Sequence, residues 1–206
     1  MTNLLTAANL KAGIKVLKVS KPAWGNDFHD TLYIELKELK ANGLDEQWWQ
    51  KIVYKLWDWK AIRPLSRATI LHEGLKSLPQ LRAEYNAILK VTDKREPRLE
   101  TVSWDILSGL YTVASSIKKT KYPSPVFGSK LCHFILPKVF PVIDREMVGV
   151  SGEYREYWIN CKEQWMTCTV KQELIMQLQR AMKVQATSDY PWASKIVELC
   201  KIGAKR

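Results

Sequence analysis

Lys130 and Asp144 are of the types that break and remake bonds at an anomeric carbon. A deprotonated lysine amine can attack C1′ of a sugar and hold the opened ring as a Schiff base. A fixed carboxylate can stabilise the positive charge a sugar gains as its base leaves, and it can assist a nucleophile. The amine needs a lowered proton affinity, which apolar or cationic surroundings supply. Phe127, Leu131 and Phe134 are its apolar neighbours in sequence.

The stretch PSPVFGSKLCHFILPKVFPVIDREMVG, residues 123–149, carries both groups. Pro123 and Pro125 set a rigid approach. Gly128 permits a tight turn or a close backbone approach. Ser129 is expected to start a short helix, 129–136, with Lys130 on its first turn. Backbone N–H groups at such a start can bind a phosphate. Pro137 ends that helix, the chain folds back through Lys138–Pro141, and Asp144 is expected to cap a helix from 145. His133, three residues after Lys130, is placed to touch a phosphate, to orient Asp144, or simply to pack.

Charge points to the same stretch. The chain has 206 residues, 32 Lys and Arg against 21 Asp and Glu, and a formal net charge of +11. That excess favours a polyanionic partner such as a nucleic acid. Between Asp105 and Asp144 there is no acidic residue, while Lys118, Lys119, Lys121, Lys130 and Lys138 all fall there. Lys118, Lys119, Lys121 and Arg145 are the expected phosphate contacts beyond Gly128 and Ser129. No run approaches about 18 apolar residues, so no membrane partner is expected. The N-terminus lacks the ordered basic, apolar and cleavage regions of a signal peptide, so a cytoplasmic, nucleoid-associated monomer is expected. The four cysteines form no CxxC pair and the three histidines are scattered, so neither metal nor cofactor is expected and the thiols read as reduced and mostly buried.

The elements that must position these groups read as helices, giving an all-α chain. Helices are expected at 4–18, at 31–42 ending on Gly43, and after Asp45, the last with Trp48, Trp49, Ile52, Val53, Leu56 and Trp57 on one apolar face. Another runs from Ser66 to Leu75, and a capping-box pattern at Ser77 and Gln80 suggests a separate one over 80–91. The polar stretch 92–98 is the candidate boundary between two lobes of a single domain. Helices follow at 101–118, 154–166, 169–184 and 192–202, the last started by Pro191. VFPVI reads as a short strand or a buried link.

The paired elements VFGSK and VFPVID resemble the signature of the helix-hairpin-helix DNA glycosylases, particularly the 8-oxoguanine glycosylase-like branch. The resemblance covers residues 122–150. It implies a two-lobed helical fold with a helix-hairpin-helix motif, Gly128 in the hairpin, Lys130 as the nucleophile at C1′, and Asp144 as the essential carboxylate. Val126 stands where the family's first hairpin glycine would be, and the helix between lysine and aspartate is shorter by roughly a turn. The implied activity is hydrolysis of the N-glycosidic bond of a damaged or modified base, with AP-lyase action through Lys130. Both repair and defence against modified foreign DNA suit such an enzyme.

A flipped base needs an aromatic clamp and edge-reading polar groups. Trp24, Asn26 and His29 in the loop 21–30, together with His133, are the candidate base pocket. Two other readings compete: a non-catalytic helical DNA-binding protein that keeps the hairpin, and a helical interaction protein with no cleft between Lys130 and Asp144.

Overall fold

A computed structural model describes residues 3–20, 30–93, 95–118, 124–144, 153–182 and 189–205. Among them there are nine helices and no strand: α1 Ala7–Ser20, α2 Asp30–Leu39, α3 Glu46–Asp58, α4 Arg67–Val91, α5 Trp104–Ile117, α6 Pro125–Ile135, α7 Tyr154–Thr167, α8 Lys171–Met182 and α9 Trp192–Gly203. The chain is all-α over these residues, as its periodicity leads one to expect. None of the described helices is long and apolar enough to cross a membrane.

Local chemistry accounts for most of the boundaries. Asp45 caps α3 by accepting the Trp48 N–H at 2.7 Å. Ser66 caps α4 through the Thr69 N–H. Gly43, with φ of 85°, takes the left-handed turn that separates α2 from α3. Three expectations fail. The break at Ser77 is absent: α4 runs unbroken for 25 residues with Pro79 inside it, and the Ser77 hydroxyl donates back to the Glu73 carbonyl. Packing on both neighbours, α3 and α5, holds the helix through the proline. Secondly, α6 starts at Pro125 instead of Ser129, because Ser124 caps it and proline suits a first helical position. Finally, Trp57 does not join the buried face of α3.

The buried side chains form one cluster with members on both sides of 92–98. VFPVI is a buried link, not a strand. Gly128 lies inside α6, so it forms no hairpin turn. A Cβ there would come within 2.9 Å of the Ser115 Cβ, so this glycine lets α6 close on α5.

Helix α9, which carries part of the site, is pinned against α1 at two glycines. A Cβ at Gly13 would sit 2.0 Å from the Leu199 carbonyl oxygen, and one at Gly203 would sit 1.9 Å from that of Asn9. Backbone faces backbone here, so no side chain can swing away. Gly13→Ala is expected to lower the unfolding free energy by about 2–3 kcal/mol, read by urea denaturation. Unchanged stability would contradict the close crossing.

Candidate active site

The link 139–143 is held from two sides, and this places Asp144. From α6, the Ser129 hydroxyl accepts the Ile143 N–H at 3.2 Å and itself donates to Val126 O. His133, one turn further along, holds Phe140 O at 2.7 Å through Nδ1. From α7, Tyr154 donates to Pro141 O at 2.7 Å, Tyr157 to Val142 O at 3.0 Å, and the Trp158 indole to Val139 O at 2.9 Å. Burial pushes both tyrosines well above the usual phenol range, so they remain donors throughout the working pH range. Buried carbonyls that would otherwise lack partners are satisfied by these bonds.

His133 has a defined proton. A carbonyl can only accept, so Nδ1 carries the hydrogen and Nε2 accepts from the Tyr33 hydroxyl at 3.1 Å. The ring also stacks on Trp59. Burial, helped by the positive charges of Lys195 and Lys40, holds its pKa well below the ordinary value, so the imidazole is neutral. The unfolded chain takes up a proton near pH 6.5 that the folded chain refuses. The stabilisation is therefore full above that pH and is lost as pH falls, by up to about 1.4 kcal/mol per pH unit. Urea unfolding at pH 7.5 and 5.5 is expected to show a larger loss in the parent protein than in His133→Gln. Equal losses would mean that residue 133 is protonated in the fold. Burial raises the Glu198 carboxyl, which works in the opposite direction, but both proteins carry it.

Lys130 and Asp144 converge. The lysine amine lies 3.7 Å from Asp144 Oδ2, with side-chain exposures of 4 % and 18 %. It also donates to the carbonyl of Trp59, just past the end of α3, at 2.8 Å. A second pair sits against the same tryptophan. Lys195 on α9 is 5.2 Å from the Trp59 ring centre and 3.1 Å from Glu198. Burial raises the Glu198 carboxyl most; Lys195 pulls it down, the Asp144 charge pushes it up, and Lys130 lowers it. Two cations and two anions thus share one largely buried neighbourhood, and Asp144 is the most exposed of the four. The Asp144 carboxylate is thus the more solvent-facing member of its pair, and the Lys130 amine is the covered one.

Other expected contacts turn inward. Lys118 is buried and donates to Ala61 O at 2.9 Å and Arg63 O at 2.6 Å, with burial lowering its pKa. It braces the turn after α3 and does not face a phosphate. Ser129, Gly128 and His133 are buried as well, so none of them presents a group to DNA or to a base. Lys138 is drawn to Glu96 and Asp189. Trp24, Asn26, His29, Lys119, Lys121 and Arg145 lie outside the described residues, as does the helix expected from 145. All four cysteines are buried free thiols.

Sequence reasoning missed Lys195, Glu198 and Tyr33, and it read Trp59 as core and groove wall. A lysine and a glutamate three apart in the otherwise apolar stretch of α9 were the available sign of a buried ion pair. No protein-family model, curated protein or solved structure matches this chain.

Proposed function

We propose that this protein is a DNA glycosylase of the helix-hairpin-helix kind. It hydrolyses the N-glycosidic bond of a damaged or modified base in double-stranded DNA, with associated AP-lyase action through Lys130. The observation that carries this reading is the approach of the Lys130 amine to the Asp144 carboxylate, 3.7 Å apart, with the carboxylate the more exposed.

The chemistry follows from that order. As the C1′–N bond breaks, its electron pair leaves with the base, which takes up a proton. The Asp144 carboxylate stabilises the developing sugar cation. A water oxygen bonds to C1′ and gives its proton to Asp144, which passes it to solvent in exchange for the proton that solvent gave the base, and this completes hydrolysis. In the lyase branch the Lys130 ammonium first gives a proton to Asp144 and releases the Trp59 carbonyl. The neutral amine then bonds to C1′ in place of water as the base departs with the C1′–N electron pair, and an amine proton passes to the ring oxygen. Ring opening then yields the Schiff base.

A second reading, a DNA-binding protein without chemistry, is favoured by one fact. The Lys130 side chain is 4 % exposed and already donates to a backbone carbonyl. A base-release screen separates the two readings, using duplexes that carry varied lesions and natural modifications, with Lys130→Ala as the control. Release by the parent protein supports the glycosylase. Salt-sensitive binding with no base released from any duplex supports the second reading.

A further inference from the structure

The lysines at 118 and 130 face inward, so among the described residues a polyanion has to find other cations. The outer face of α3 and the turn into α4 offer them. Between Gln47 and His72 there are five Lys and Arg residues and a single acidic one, Asp58. Lys55 is paired with Glu35, while Lys51, Lys60, Arg63 and Arg67 are exposed. Helix α4 begins in this region with no acidic residue in its first turn.

Two large rings share that face. Tyr54 is 60 % exposed and Trp57 is 37 % exposed. The Arg67 guanidinium carbon lies 5.0 Å from the Tyr54 ring centre and 5.3 Å from that of Trp57, and the Arg63 carbon lies 6.0 Å from Trp57. A groove of about 380 Å³ between α3 and α4 is lined by Gln50, Tyr54, Arg67, Ala68 and Leu71, among others. Exposed aromatic faces interleaved with guanidinium groups suit a ligand with both phosphates and flat rings. An acidic peptide would supply the charge but not a succession of flat rings.

We infer that this face binds an unpaired DNA strand, with Arg63, Arg67 and Lys60 on the phosphates and Tyr54 and Trp57 stacked on bases. Helix α3 joins the face to the candidate site, because the residue just past its end, Trp59, holds the Lys130 amine through its carbonyl. The inference rests on the glycosylase reading only for the identity of the polyanion.

The test is fluorescence anisotropy with a fluorescein-labelled single-stranded oligonucleotide across a salt series. Tyr54→Ala/Trp57→Ala and Arg63→Gln/Arg67→Gln are each expected to weaken binding at least about ten-fold. The arginine pair should also lower the salt slope by about one for each phosphate that is no longer neutralised. Lys11→Gln/Arg180→Gln, two exposed cations on α1 and α8, is the control of equal charge and should bind nearly as the parent does. Unchanged affinity in either variant of the face, an equal loss in the control, or no binding by the parent protein overturns the inference. Displacement by polyglutamate as effective as by unlabelled DNA overturns it too, in favour of a protein partner. Base release is read on the same proteins. Release that survives while the face proves inert would sink this inference alone, and binding at the face without release would sink the glycosylase reading alone.

Discussion

Asp144→Asn is expected to lower base release by about a hundred- to a thousand-fold while leaving the protein folded. Asparagine keeps the shape of the side chain and removes only its charge. In the proposed mechanism that charge stabilises the positive charge developing on the sugar, so its loss should fall on the transition state and not on binding. The fold should tolerate the change. The aspartate side chain is 18 % exposed, and Lys130 keeps its bond to the Trp59 carbonyl. Single-turnover release should therefore drop while affinity for the duplex and the circular dichroism spectrum stay unchanged. Retained release would remove Asp144 from the chemistry and turn attention to Glu198, the other carboxylate of the cluster.

Lys130→Met carries the largest expected loss of stability, about 3 kcal/mol. The side chain is almost fully covered, and its ammonium group serves both Asp144 and the Trp59 carbonyl. Methionine fills much of the same space but leaves a partly buried carboxylate and a buried carbonyl without their cation. The expected value is at the low end for a broken buried pair, because water still reaches Asp144. Lys130→Met/Asp144→Asn should recover part of the loss, since the unpaired charge is gone. Urea unfolding of the three variants gives the coupling. A loss below about 1 kcal/mol with no coupling would mean that the pair is not formed in solution.

Much of the framework was legible in the chain. The caps at Asp45 and Ser66 and the glycine turn at 43 follow from side-chain chemistry that acts within a few residues, and α7 and α9 follow from the helical spacing of their apolar residues. The continuity of α4 was not legible. Ser77 and Gln80 carry a genuine local start signal, and it is overridden by packing on α3 and α5 that no local pattern encodes. Gly128 shows the same limit, since its spacing suits a hairpin but its approach to α5 is what uses the missing side chain. The pairing of Lys130 with Asp144 was suggested by residue type. Their approach depends on Ser129, His133 and three aromatic donors of α7 fastening a link between them. The second ion pair left only a faint sign, the three-residue spacing of Lys195 and Glu198 in an apolar stretch, and its place beside Trp59 depends on how α9 packs against its neighbours.

Reduction with borohydride during reaction with a duplex whose base is released, followed by peptide mapping of the trapped protein–DNA adduct, tests the chemistry most directly. The expected result is base release accompanied by a covalent adduct on Lys130 that disappears in Lys130→Ala. Release without any adduct would leave hydrolysis assisted by Asp144 and remove the lyase step. An adduct on a different lysine, or no release and no adduct from any duplex, would contradict the assignment of Lys130 and Asp144 as the reacting pair.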